Sequence, residues 1–108
     1  MIKVKFFKNN DGYQGFEVSG HAGYAEYGSD IVCASVSCLV INTINSVENF
    51  TDCKFSLKEN EKKGYINFRL KDKPTEYTEL LIKSLSLGLI NICKEYDNEY
   101  ITIIFEEV

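Results

Sequence analysis

The sequence predicts a single α+β domain, with two apolar helices packed against antiparallel β-hairpins in the order ββαββαβ. Two pairs of short segments alternate apolar and polar residues around turn sequences, and a further such segment ends the chain. Two longer segments, residues 31–47 and 75–94, have helical character. The chain has 108 residues, 44% of them hydrophobic, which is enough for one core, so we predict one domain over residues 1–108.

The first hairpin is predicted at the N-terminus. Ile2, Val4 and Phe6 alternate with residues that are mostly lysine, which is the period of a half-buried strand. The turn sequence NNDG follows, and Asn, Asp and Gly tolerate the positive φ angles of tight turns. The next strand alternates through Phe16 and Val18, so the two strands form a hairpin.

The first helix is predicted to begin after Ser29 and Asp30, which are both good N-cap residues. Residues 31–47 contain no charged side chain. A surface helix normally carries charges on its outer face, so this segment is predicted to be covered on more than one side, by the sheet, the second helix or a partner subunit.

The C-terminal half is predicted to contain a second hairpin, a second helix and a last strand. In the hairpin Phe55 and Leu57 are expected to face inward, and on its second strand one face carries Ile66, Phe68 and Leu70. In the helix we expect Glu76, Glu79 and Lys83 on one side and Leu80, Leu81 and Leu85 on the other. In the last strand one face carries Ile101, Ile103 and Phe105.

Composition excludes several classes of protein. The formal net charge of −4 argues against a nucleic-acid binder, which would show a basic face. The N-terminus alternates charged and apolar residues and so lacks the apolar core of a signal peptide. No uninterrupted run approaches the roughly 20 apolar residues of a membrane span. We therefore predict a cytoplasmic protein that binds no membrane.

The four cysteines are irregularly spaced and, in a reducing compartment, are expected to stay thiols. Neither the cysteines nor the single histidine has the paired spacing of a zinc site, so we predict no metal and no cofactor. Cys38, Cys53 and Cys93 have no distinguishing partner in the sequence and are interpreted as packing residues.

Two residues are candidates for chemistry, His21 and Cys33. If Asp30 caps the first helix, Cys33 is its third residue, and a first-turn position lowers a thiol's pKa through the helix dipole and free amides. His21 is the only imidazole that could take the thiol proton. The same amides could also bind an oxyanion.

Each of these residues also has a purely structural interpretation. Cys33 could be an ordinary core residue of an apolar helix, and His21 a surface residue. Asp30 could cap the helix only, or could in addition orient His21. Ser37 lies four residues after Cys33 on the same helix face, where its hydroxyl could hold the thiol or a loop group, or bond back to the helix. Spacing and composition leave these alternatives open.

The segment between the first hairpin and the first helix contains Gly20, Gly23 and Gly28. These glycines could form a simple flexible turn, or could serve as hinges of a loop that brings His21 to Cys33. Tyr24 and Tyr27 could contact a substrate from this loop, or be surface residues.

The whole segment, GHAGYAEYGSDIVCASVS, resembles the signature of the bacterial ribosomal-processing cysteine protease family, known as Prp. The resemblance implies that Cys33 is a nucleophile, that His21 is its base and acid, and that Asp30 and Ser37 support the site. It also implies a homodimer, a mobile loop over the site, and one substrate, the twenty-seventh protein of the large ribosomal subunit. In some bacteria this protein carries an N-terminal extension, which the family removes after a short apolar sequence ending in aromatic residues.

Two alternatives stay open beside the protease. One is a non-catalytic, ribosome-associated binding protein in which Cys33 is a core residue. The other is an acyl-transfer enzyme that uses the same Cys and His on another substrate. The acidic charge of the chain suits a basic ribosomal protein as the substrate or partner.

Overall fold

The structure is a computed structural model that describes residues 1–26 and 28–108, and over these residues the chain forms one sheet and two helices. The elements, in chain order, are β1 Ile2–Asn9, β2 Gly12–Ser19, α1 Ile31–Phe50, β3 Phe55–Asn60, β4 Tyr65–Leu70, α2 Glu76–Glu95 and β5 Ile101–Glu107. The α+β class and the order ββαββαβ are confirmed.

The sheet has the strand order β3-β4-β2-β1-β5. The two hairpins pair through β2 and β4, and all three of these junctions are antiparallel. β5 adds to the other side of β1 in parallel, with Ile2 opposite Ile101. The sequence analysis predicted antiparallel hairpins and did not predict this parallel pairing of β5 with β1. A parallel neighbour requires a long crossover, and the 20-residue helix α2, which lies between β4 and β5 in the chain, supplies it.

Both helices contribute to a single core on one face of the sheet. As predicted, the inward face of β1 is apolar, and Ile2, Val4 and Phe6 are at most 2% exposed. Phe16 and Phe68 stack face to face at the centre, with their ring centroids 4.8 Å apart. α1 adds a face of small and β-branched residues, which are Val32, Val36, Val40, Thr43, Ile44, Ser46 and Val47.

Three predictions of burial are wrong. Leu57 is on the inward side of β3 but is 38% exposed, because β3 is an edge strand that the helices do not fully cover. Leu80 is 67% exposed, because the buried face of α2 is the one that carries Thr78, Ile82, Leu85, Ser86 and Leu89. Cys38 is exposed rather than packed, whereas Cys53 is buried and Cys93 is half-buried.

α1 extends three residues beyond the predicted end at residue 47 and ends at Phe50. Over Ile31–Phe50 it is long and apolar enough to cross a membrane by length and composition, contrary to the prediction that no segment approaches this limit. A helix buried in a protein core meets the same criterion, and α1 buries seven residues against the sheet and α2. Packing therefore explains one face of the helix, whereas Ile31, Ile41 and Phe50 on the rest of its surface are exposed.

Candidate active site

The start of α1 is organised by the carboxylate of Asp30. Asp30 is the N-cap, and its Oδ1 accepts hydrogen bonds from the amides of Val32 and Cys33, each 3.0 Å long. Cys33 is therefore the third residue of α1, as predicted. The cap therefore occupies two of the first-turn amides that an oxyanion site could use.

The second oxygen of Asp30 binds the glycine-containing loop. Its Oδ2 accepts hydrogen bonds from the amides of Tyr24, at 3.0 Å, and Ala25, at 3.4 Å. Burial by itself would raise the pKa of Asp30, but the amides of Cys33, Ala25 and Tyr24 together hold that pKa below its ordinary value. One carboxylate therefore caps the helix and also ties residues 24 and 25 of the loop to the helix start.

Cys33 is half-buried, and its sulfur faces the same loop. The amide of Ala22 lies 3.2 Å from Sγ and donates to it. Burial raises the pKa of the Cys33 thiol, the Ala22 amide lowers it, and the negative charge of Asp30 raises it further, so that the net shift is upward. The lowering of this pKa expected from the helix start is wrong for the free protein, because burial first, and then the negative charge of Asp30, outweigh the hydrogen bond from Ala22.

His21 lies against the β3–β4 turn. Its Nε2 is 2.9 Å from the carbonyl oxygen of Lys62. A carbonyl oxygen only accepts, so Nε2 carries a hydrogen in this arrangement, and in the neutral imidazole Nδ1 is the basic nitrogen. The turn also holds the neighbouring residue, because the amide of Gly20 donates to the carbonyl of Lys63 at 3.1 Å. Two main-chain groups of this turn therefore position the histidine.

The approach of the turn to the loop is closer than a side chain would allow. Gly64 has a φ of +58°, and a Cβ atom on it would lie 2.3 Å from the carbonyl oxygen of Gly20 and 3.3 Å from Cε1 of His21. Glycine is required there for the contact as well as for the backbone angle. Gly20, Gly23 and Gly28 also have positive φ angles.

A cavity of about 1060 Å³ opens between the loop, the first turns of α1 and the β3–β4 hairpin. Its lining includes all the residues that the sequence singled out for the site, namely Gly20, His21, Gly23, Gly28, Asp30, Cys33 and Ser37. Ser37 is exposed and lies one helical turn beyond Cys33, and within residues 1–26 and 28–108 no hydrogen bond engages its hydroxyl. The tertiary structure therefore places the candidate residues around one cavity.

Sequence reasoning missed the contribution of Ala22, Lys62 and Gly64. The first two act through main-chain atoms, which no side-chain pattern reveals. Gly64 ends the polar segment NEKKG, residues 60–64, whose composition is typical of a hairpin turn, but the distance along the chain to His21 hides their contact.

The loop is also held at its outer side by aromatic contacts. The ring of Tyr24 packs edge to face against Tyr96 and Tyr100, with centroid distances of 5.5 and 5.3 Å. Tyr24 is therefore engaged within this chain and is 43% exposed. Tyr27, the other tyrosine considered as a substrate contact, lies outside the described residues.

Comparison with known proteins identifies the class of this protein. The family model described as cysteine protease Prp matches residues 1–102. The ribosomal processing cysteine protease Prp of Bacillus subtilis is 32% identical over 108 residues, which cover 94% of this chain and 96% of that protein. The fold and the site thus define a cysteine-type endopeptidase.

Solved structures of a ribosomal processing protease have the same fold as this chain. The Staphylococcus aureus ribosomal processing protease Prp with a covalently linked product peptide superposes with a TM-score of 0.91 at 28% identity, over 98% of this chain and 100% of that one. The same protein with a substrate peptide gives 0.86 at 27% identity, over the same shares of the two chains. The chain belongs to the cysteine protease Prp family.

Proposed function

We propose that this protein removes the N-terminal extension of the twenty-seventh protein of the large ribosomal subunit, with Cys33 as nucleophile and His21 as general base and acid. The observation that carries the proposal is that both side chains line one and the same cavity. The ribosomal processing named for the relatives and the peptides bound in the S. aureus structures support this substrate class.

The proposed cleavage reaction uses the thiol of Cys33 and the imidazole of His21. Nδ1 of His21 takes the proton of the Cys33 thiol, and Sγ forms a bond to the scissile carbonyl carbon. The tetrahedral intermediate collapses, the C–N bond breaks, and His21 returns the proton to the leaving amine. Water, activated by His21, then hydrolyses the thioester, which releases the new carboxylate and restores the thiol. Because the free thiol has a raised pKa, the proton transfer is expected to accompany substrate binding rather than precede it.

The cavity also suits an apolar peptide. Apolar side chains from three elements form part of its wall, and they include Val18, Val36, Val40, Ile41 and Ile66. Burial of aromatic side chains against such a wall would contribute binding energy roughly in proportion to the apolar area removed from water. Two acidic residues, Glu59 and Glu61, line the cavity beside one basic residue, Lys62, and this acidic excess suits the basic body of a ribosomal protein.

Cleavage of the purified precursor tests the proposal directly. The intact protein is expected to release the extension, and Cys33→Ala and His21→Gln are expected to abolish release to below about 10⁻³ of the original rate. Cys38→Ala is the matched control, because it removes an exposed thiol from the same helix. Undiminished cleavage by Cys33→Ala would contradict the mechanism, and an uncut precursor with the intact protein would contradict the substrate.

A binding protein without catalysis makes a different prediction. It would retain the precursor intact, whereas a protease forms a thioester on Cys33 that rapid acid quenching and peptide mapping by mass spectrometry can detect. Acylation of Cys33 by a small thioester, with the precursor left uncut, would instead favour the acyl-transfer alternative.

The proposal extends to the oligomeric state of the protein and to its location in the cell. We propose a cytoplasmic homodimer, since the family resemblance implies a dimer and α1 leaves Ile31 and Ile41 about half exposed, at 52% and 48%. Sedimentation equilibrium of the purified chain tests the oligomeric state, and a monomer at micromolar concentration would contradict the dimer.

A further inference from the structure

Two amides at the start of α1 are already engaged by the N-cap. The amide of Cys33 itself, which lies beside the attacking sulfur, donates to Oδ1 of Asp30 at 3.0 Å, and the amide of Val32 does the same. Asp30 is 8% exposed and its lowered pKa keeps it ionised at neutral pH, so both bonds are charge-assisted. Breaking them to serve a substrate would leave a buried carboxylate without its partners, which is costly.

Another main-chain amide is aimed at the reacting atom. The N–H of Ala22 points at Sγ of Cys33 from the loop, with 3.2 Å between nitrogen and sulfur. Ala22 is 5% exposed, so this donor is shielded from bulk water. A donor in a site that excludes water stabilises charge more strongly than a solvated one.

The position of this amide is fixed from both sides. Two residues before it, the amide of Gly20 is bonded to the carbonyl of Lys63. Two and three residues after it, the amides of Tyr24 and Ala25 are bonded to Asp30. The donor is therefore already oriented before substrate binds, which is the property that makes an oxyanion site effective.

We infer that the N–H of Ala22 is the main-chain donor that binds the oxyanion. In the resting protein it donates to the Cys33 sulfur. When Sγ bonds to the scissile carbon, the sulfur lone pair becomes the S–C bond, the C=O π electrons move to oxygen, and the negative oxygen lies beside the sulfur, within reach of the same N–H. The bond passes from sulfur to oxygen, and it returns to sulfur when the C–N bond breaks and the carbonyl re-forms.

This inference rests on the proposed roles of Cys33 and His21, and replacement of one atom tests it. A chain with lactic acid in place of Ala22 has an ester oxygen where the N–H was and keeps the methyl group. It can be assembled from a synthetic segment 1–32 and a recombinant segment that begins at Cys33, with no change of sequence at the junction. The control is the same exchange at Ser29, with glyceric acid, because that amide donates to Glu26 in the same loop and does not contact the thiol.

Removal of one oxyanion donor costs about 10²–10³ in kcat, and we expect a loss of that size for the Ala22 ester with little change in KM. Iodoacetamide alkylation of the Cys33 thiolate forms no oxyanion, so its rate at the alkaline plateau should stay within about threefold, although the apparent pKa of the thiol should rise. The Ser29 ester should cleave the precursor within about threefold of the original chain.

Two results would overturn the inference. One is a kcat within about threefold of the original for the Ala22 ester, and the other is an equal fall of kcat and of the plateau alkylation rate, which would indicate a displaced thiol. Either can occur while Cys33→Ala is inactive, so the failure of this inference is distinguishable from failure of the proposed function. Cleavage of the precursor by Cys33→Ala would contradict both the inference about Ala22 and the proposed function.

Discussion

The two helices have the same length but begin in different ways. α2 starts with a capping box in which Thr75 and Thr78 satisfy one another, and Thr78 is fully buried. Its first turn carries Glu76 and Glu79, which complement the helix dipole. α1 has no acidic residue in its first turn, and its cap, Asp30, binds two helix amides and two loop amides.

The difference separates a local cap from one that organises a site. The capping hydrogen bonds of α2 join only Thr75 and Thr78, so they stabilise that helix alone. The cap of α1 holds the loop that carries His21 and Ala22, and it faces Cys33. A change at Thr75 should therefore affect stability alone, whereas a change at Asp30 should affect stability and catalysis together.

The sharpest test of this comparison is the pair Asp30→Ala and Thr75→Ala. Each loses an N-cap, which costs about 0.5–2 kcal/mol of unfolding free energy. Asp30→Ala also frees the loop, and because misplacement of a reacting group by about 1 Å can cost about 10²-fold in rate, we expect kcat/KM to fall by that order. Thr75→Ala should cleave at the original rate. Equal activity of the two variants, with both shown to be folded by circular dichroism, would contradict the comparison.

A second test reaches the loop from the opposite side. Gly64→Ala places a Cβ against Gly20 and His21, so it should displace the loop by a fraction of an ångström and lower kcat/KM by about tenfold, less than the roughly 10²-fold loss expected for a full ångström. Lys63→Ala changes an exposed side chain of the same turn and leaves the main chain in place, so it should stay within about twofold. Steady-state cleavage of a peptide from the precursor measures both. Full activity of Gly64→Ala would show that this contact does not position His21.

A third test uses acid. Because the pKa of Asp30 is lower in the folded chain than its ordinary value of 3.8, its ionised form contributes stability that is present above about pH 4 and is lost as the pH falls through the folded pKa. Urea unfolding between pH 2.5 and 6 should show this loss. In Asp30→Asn the residue keeps its capping ability but does not ionise, so part of the pH dependence should disappear. If the free energy of unfolding depended on pH equally in Asp30→Asn and in the original chain, the ionisation of Asp30 would not be coupled to folding.

The smallest expected effect is on the thiol. The pKa of Cys33 is raised above 9.0, so alkylation of the free protein should still be accelerating at pH 9. Asp30→Asn removes one of the causes, the negative charge, and should move the curve to lower pH, although burial keeps part of the shift. Mass spectrometry of the peptide that contains Cys33, in a Cys38→Ala background, follows the reaction. A plateau below pH 8 in the original chain would contradict the raised pKa.

Local pattern predicted much of this molecule correctly. The alternation in β1, the Asp30 cap and the place of Cys33 in the first turn depend on residues within a few positions of one another, where backbone geometry leaves few choices. Exposure was predicted less well. Leu57 and Leu80 are apolar and in phase with their elements, but only the position of a strand at the sheet edge, or the rotation of a helix on the sheet, decides what covers them.

The sequence by itself determined the element order and a nucleophile candidate, Cys33, near a single imidazole, because strand and helix periods and capping are local properties. The tertiary structure alone decided three further matters. β5 joins β1 in parallel, the β3–β4 turn brings the Lys62 carbonyl to His21, and the loop brings the Ala22 amide to the Cys33 sulfur. These contacts depend on how segments distant in the chain pack, and all three use main-chain atoms, which are identical in every residue but proline.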